Sequence, residues 1–156
     1  MDKLSLQQLV CQRLADDLAL LSAAAEAARQ AATHEQSKAE NKYDTRGLEA
    51  SYLAAGQSRR AEQIRRALAA WRALQLRPYD EERGIQLGAL ILLTNEDGQR
   101  QWLLLGPDGA GQKLAQGDEE VTLITPHAPL GQQLLGRGPG DEVRAGTSTW
   151  QVLRVE

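Results

Sequence analysis

A single cysteine, Cys11, stands in the whole chain of 156 residues. It has no second thiol to pair with in a disulfide, it cannot build a cysteine-based metal site, and among its helical neighbours it reads as a buried thiol. Histidine is nearly as scarce. His34 and His127 are the two present, one in each half of the chain, with no HExxH spacing and no cysteine partner, so zinc is not expected. No apolar run approaches the roughly 20 residues that span a bilayer, and "MDKLSLQQLVCQRLADD" has polar residues where a signal peptide carries its hydrophobic block. A soluble, cytoplasmic protein that makes no membrane contact is expected. Positive charge is also in short supply: the formal net charge is −3 at pH 7. Coating DNA or RNA needs a basic excess that neutralises phosphates, so any nucleic acid contact is expected to be local or indirect.

Proline is missing up to residue 77, and glycine is nearly so, with only Gly47 and Gly56 before Gly84. The composition changes at "LRPYDEERG", residues 76 to 84, which holds the first of the five prolines; the other four, most glycines and most β-branched residues come after it. Pro78 and Gly84 punctuate a linker there. The expected organisation is an antiparallel coiled-coil domain over 1–76, a linker over 77–84 and a second domain over 85–156.

In the first half Leu14, Leu18, Leu21, Ala25, Ala28 and Ala32 recur at alternating spacings of four and three, the seam of a helix that faces one partner helix. A second helix is expected over 40–76, with Ile64, Leu68, Trp71 and Leu74 on its apolar face. The stretch "ATHEQSKAE" is expected to connect them, and it has neither proline nor glycine to mark the turn. The second half alternates strands and turns: "LGALILLT" and "QWLLL" joined by "NEDG", then "EEVTLI", then a hairpin of "DEVRA" and "TWQVLRV" around Gly146. Within it "TPHAPLGQQLLG" reads as a short helix, with Pro126 or Pro129 in its first turn, Leu130, Leu134 and Leu135 facing inward, and Gly136 ending it. The fold class is α+β: a two-helix antiparallel coil plus a small antiparallel sheet packed on one helix. Trp71 and Tyr79 are expected to join the helical base to the sheet, with Trp102 and Trp150 as core aromatics.

Two glycine-rich stretches, "GPDGAGQ" and "GRGPGDEV", lack the following helix and the Lys-Ser/Thr pair of a nucleotide phosphate loop, and they read as turns. No GxSxG elbow supports a serine nucleophile. Arg59, Arg60, Arg65 and Arg66 form a basic cluster that reads either as a solvated face paired with Glu62 or as a contact for an acidic or nucleic acid partner. At the far end of the coil Glu35, Glu40 and Asp44 are interleaved with Lys38, Lys42 and Arg46. Glu40 and Asp44 are four residues apart, so on a helix their carboxylates share a face and repel unless a cation lies near. Magnesium commonly takes one or two protein carboxylates and fills its shell with water or phosphate, so such a tip suits a metal held mainly by another molecule.

The coil followed by "VTLITPHAPLGQQLLGRGPGDEV", residues 121 to 143, resembles the Gre transcript-cleavage factors and their relatives. An apolar strand, a Thr-Pro, a short helix ending "LLGR" and then "GDEV" occur in the family's order, and "AENKY" at 39–43 is similar to the tip-proximal part of the family's coil. The resemblance implies an FKBP-like C-terminal domain docking on bacterial RNA polymerase at the rim of its secondary channel, through Pro129, Leu130, Leu134, Gly136, Arg137, Gly140 and Asp141. It further implies that the coil enters the channel and its tip acids help hold a magnesium ion of the polymerase, which hydrolyses a backtracked transcript. The chain would then be an accessory factor in transcription elongation and no enzyme itself, with no cofactor of its own. In the family tip an Asp precedes Glu-Asn by three residues. Here Glu40-Asn41 match, Ser37 stands where the Asp would be, and Glu35 or Asp44 is the substitute. Two other readings stay open: a coiled-coil adaptor or inhibitor without cleavage activity, and a prolyl isomerase, which needs an aromatic-lined pocket in a chain that has no phenylalanine.

Overall fold

A computed structural model describes residues 1–38 and 45–156, with side chains at 1–33 and 53–156. The first helix, α1, spans Lys3–Lys38 and the second, α2, spans Thr45–Ala73. α1 thus continues through most of "ATHEQSKAE", where the turn was expected. The stretch is rich in good helix formers and has no residue that breaks a helix. α2 ends before residue 76. The chain divides into two compact units, Cys11–Leu68 and Met1–Val10 with Ala69–Glu156. Both divisions fall inside helices, and residues 77–84 lie within the second of these units rather than between the two.

The Cys11–Leu68 unit is the antiparallel helical pair. Leu14 is buried, Leu18, Leu21, Ala25 and Ala32 are half-buried, and Ala28 is exposed, so the expected seam holds at every position but one. α2 contributes buried Ala61, Ile64, Ala67 and Leu68. The seam shrinks from leucine to alanine toward Ala32, and the apolar area available for burial falls with it.

The other unit is built on a six-stranded sheet. Its strands are β1 (Leu90–Asn95), β2 (Arg100–Leu105), β3 (Lys113–Gln116), β4 (Glu119–Ile124), β5 (Glu142–Ala145) and β6 (Ser148–Val155), and the short helix α3 (Pro129–Leu134) lies between β4 and β5. The spatial order is β3-β4-β2-β1-β6-β5. Four neighbouring pairs are antiparallel, but β2 and β4 run parallel, with Trp102 beside Val121 and Leu105 beside Ile124. The sheet is therefore mixed and not the purely antiparallel one expected. The cause is β3, which the sequence pattern did not reveal because "KLAQ" carries one strongly apolar residue, Leu114. It takes the outer edge antiparallel to β4, so β4 returns alongside β2 in β2's own direction.

β1 lies at the centre and its residues Leu90, Ile91, Leu92 and Leu93 are all buried. A strand covered on both faces needs a continuous apolar run in place of alternation. On one face Ile91 and Leu93 join Leu103, Leu105, Val143 and Val152 in a core that Leu134 of α3 and Ile85 close. The alternate residues Leu90, Leu104 and Leu123 are buried on the other face. Leu6, Val10 and Trp71, from the helical ends that belong to this unit, are buried as well.

Trp71 is 1% exposed, and "GPDGAGQ" is its seat. A Cβ on Gly106 would lie 2.3 Å from two carbons of the indole ring, so only glycine permits the contact. The indole Nε1 donates to the Asp108 carbonyl at 3.2 Å. Trp71, and not the half-buried Trp102 and Trp150, is the aromatic centre of the domain. Gln7 of α1 donates from Nε2 to the carbonyls of Trp71 (2.7 Å) and Leu74 (2.9 Å) at the end of α2; the Trp71 carbonyl also accepts from the Leu74 N–H at 3.4 Å. Asp2 caps α1: its carboxylate accepts from the Leu4 amide at 3.0 Å and from the Ser5 hydroxyl. The Gln116 side-chain amide then bonds both the N–H of Asp2 (2.9 Å) and its carbonyl (3.1 Å), tying α1 to the outer strand.

Replacing Trp71 with alanine is expected to cost about 3–5 kcal/mol, and Gly106→Ala about 1–3 kcal/mol because the ring must move; urea denaturation followed by circular dichroism measures both. Hydrogen bonding to Ser5 and to backbone amides holds the Asp2 carboxyl below its ordinary value of 3.8. The stabilisation that follows is present above that value and is lost as pH falls through the lower folded one. The melting-temperature difference between the natural chain and Asp2→Ala should therefore be clear at neutral pH and should narrow in acid.

Candidate docking surface and coil tip

The residues that carry the resemblance, 121 to 143, are not collected at one spot. β4 lies next to one edge of the sheet and β5 forms the other, so the chain between them crosses the core face, and α3 is the crossing. Pro129 occupies the first turn, where a missing N–H costs nothing, and Ala128 caps the helix without a side-chain bond. A Cβ on Gly131 would lie 1.9 Å from the Thr125 carbonyl oxygen, so glycine lets the helix lie directly on the turn that precedes it. Leu134 is wholly buried and Leu130 packs against the core. Leu135 departs from expectation: it is 42% exposed. The helix ends at Leu134, and the chain turns through Gly136 at φ 78°.

Two sets of bonds hold the end of α3. The Ile85 N–H donates to the Arg137 carbonyl at 2.7 Å and the Gly136 N–H to the Ile85 carbonyl at 2.8 Å, so residues 85 and 136–137 pair like a short ladder. Gly84, at φ 67°, abuts Gly136 so closely that a Cβ there would lie 2.3 Å from the Gly136 oxygen. On the other flank the Gln133 side chain works as a backbone mimic. Its Nε2 donates to the Arg144 carbonyl and its Oε1 accepts from the Arg144 N–H, both at 2.8 Å, which covers part of the free edge of β5. In the following turn Asp141 accepts from the Gly138 N–H at 2.8 Å, and Gly140 donates to the Val152 carbonyl at 2.8 Å. Tyr79 lies over Gly138, where a Cβ would lie 2.4 Å from the phenol oxygen.

Of the seven expected docking residues, Leu130 and Leu134 are therefore taken up wholly or partly by the core, while Pro129, Gly136, Arg137 and Gly140 are exposed and Asp141 is half-buried. Glu40 and Asp44 lie outside the described residues, and so does the side chain of Glu35. Among the described residues no three of His, Cys, Asp and Glu come together as a metal site, and no helix is long and apolar enough to cross a membrane. In the basic cluster, Arg65 and Arg66 pair with Glu62 at 3.8 and 3.2 Å. Exposed pairs of this kind contribute about 1 kcal/mol or less. A cleft of about 300 Å³ lies beside Arg77, Tyr79 and Leu87; on its wall Arg83 lies 3.7 Å from Asp80, and Glu156 lies 2.6 Å from Arg154.

Gly131→Ala is expected to lift α3 from the Thr125 turn and cost about 1–3 kcal/mol. Gln133→Ala should leave the fold intact but speed hydrogen exchange at the Arg144 amide, which loses its acceptor; exchange measured by NMR separates the two effects.

No family model matches the sequence, and no curated protein matches it. Among solved structures, the chain is similar to GreA factor homolog 1 (Gfh1) of Thermus thermophilus, with 22% identity over 94% of each chain and a TM-score of 0.40. It is similar to a second structure titled as the transcription factor Gfh1, with 22% identity over 94% of this chain and 92% of that one and a TM-score of 0.38. A third is Thermus aquaticus Gfh1, with 19% identity over 93% and 92% and a TM-score of 0.36.

Proposed function

We propose that this chain is an accessory factor of bacterial RNA polymerase, docked through its sheet domain at the secondary channel and reaching toward the active site with the tip of its coil. The observation that carries the reading is the stretch 121–143. It has the Gre-like order of residues, and it forms one continuous β4–α3–β5 crossing whose exposed positions are held by bonds on both flanks. A docking surface gains affinity when it is ordered before binding. The coil supplies reach. The 28 residues Cys11–Lys38 of α1 extend about 42 Å at 1.5 Å per residue.

Chemistry at the tip belongs to the polymerase. A magnesium ion held mainly by the polymerase would supply charge stabilisation for phosphodiester hydrolysis there, with carboxylates of this chain helping to hold it. This chain contributes a carboxylate from Glu40 or Asp44, with Glu35 third. Ser37, where the family has an acid, is a weak magnesium ligand, so the tip has less capacity to recruit an ion than the family pattern. Modulation of the active site without strong cleavage is then as natural an outcome as transcript shortening. Arg59 and Arg60 are exposed and leave a local contact with nucleic acid open.

The test adds the purified chain to stalled, backtracked elongation complexes and follows RNA length and nucleotide addition. Glu40→Gln with Asp44→Asn should leave polymerase affinity within about twofold, since docking lies elsewhere, and should abolish the effect on cleavage or addition. An effect that survives at full strength would mean that the tip acts by obstruction. Absence of binding to polymerase would leave the adaptor reading, with a different partner.

A further inference from the structure

We infer that the coil is built in two stages: a packed base that holds the two helices together, and a distal arm, beyond Leu21 on α1 and before Ala61 on α2, whose helices part and re-close locally as one unit. The inference stands apart from the function proposed above. In the Cys11–Leu68 unit the buried side chains among the described residues are Leu14, Ala61, Ile64, Ala67 and Leu68, all toward its two ends in sequence. Burial is then lost along both helices. On α1 Leu14 is buried, Leu18, Leu21 and Ala25 are half-buried and Ala28 is exposed, with Ala32 again half-buried. On α2 Ile64 and Ala61 are buried, Gln57, which continues their spacing, is half-buried, and Ala54 is exposed. Leu20 and Leu53, at 70% and 62% exposure, add little to the contact.

Other features lower the cost of opening. Gln57 puts a polar amide at a seam position, where a polar residue is kept at a cost in stability. Gly56 lies in the interior of α2, and a Cβ there would meet nothing within 4 Å, so no close approach calls for glycine and the helix is weakened with no packing reason. Thr33 donates from Oγ1 to the Arg29 carbonyl at 2.8 Å, a back-bond that slightly destabilises and bends helices. The bond from Gln30 to Glu26 at 3.4 Å also stays within α1, and the Arg29–Glu26 pair at 3.8 Å is exposed and contributes little. Helical segments this short are marginal in water once apart, so parting unwinds them and frees their amides. Elements that adapt to a partner come from the low-stability end of a structure. The far part of the coil therefore adjusts to the surface it meets, while the base keeps its register.

Hydrogen exchange of the full-length chain, followed by NMR or mass spectrometry, tests this. Amides of residues 22–33 and 53–57 are expected to be at least about tenfold less protected than those of residues 64–68. Gly56→Ala should raise their protection about fivefold, the difference in helix propensity between the two residues, and should do so on α1 as well as on α2, because the helices part together. Gln57→Leu, which extends the apolar seam, should act in the same direction. Neither variant should change exchange in β1 or β2. Protection that is even along the coil, within about threefold, overturns the inference. So does a response to Gly56→Ala confined to α2, which would mean that each helix frays alone.

Discussion

The sheet domain depends on a tryptophan that the sequence places in the other half. Trp71 belongs to α2, but its ring rests on Gly106, its N–H reaches the Asp108 carbonyl, and its own carbonyl is capped by Gln7 from α1. One residue thereby ties both helical ends to the strand-rich part of the chain. About 70 strand-rich residues alone would have a thin core. Leu6, Val10 and Trp71 thicken it, which is why the compact unit takes in Met1–Val10 and begins again at Ala69 rather than at the proline that marks the change in composition.

That constraint accounts for much of the glycine. "GPDGAGQ" resembles a ligand loop only in composition; Gly106 is there because an indole needs the space of a missing Cβ. Gly131 lies against Thr125 and Gly138 under Tyr79 for the same reason, and Gly84 meets Gly136 backbone to backbone. Each close approach fixes part of the crossing from β4 to β5. The surface proposed to dock is therefore a by-product of how the domain shuts its core: Leu134 goes in, Leu135 is left out, and the bonds that hold the one hold the other.

Side-chain amides take a share that charge does not. Gln133 pairs with Arg144, Gln116 with Asp2 and Gln7 with the end of α2, each satisfying backbone groups at an edge or a terminus. Such groups are costly to leave unpaired when water is excluded. The ion pairs, in contrast, are mostly exposed and contribute little.

Much was legible in the residues alone. The alternation of four and three from Leu14 to Ala32 identified the helical pair. Five of six strands and α3 followed from apolar runs bounded by turns, because burial and turn chemistry are local signals. β3 was not legible, since a four-residue edge strand with one buried leucine has no pattern of its own. Nor was the parallel pairing of β2 and β4, which depends on where β3 finds room. The exposure of Leu135 was not legible either, because α3 ends at Leu134, where helical periodicity stops and can no longer assign faces. The order of residues from Val121 to Val143 determined which family the chain resembles. Only tertiary packing decided which of those residues are free to meet a partner, because a leucine's value to the core depends on what stands opposite it.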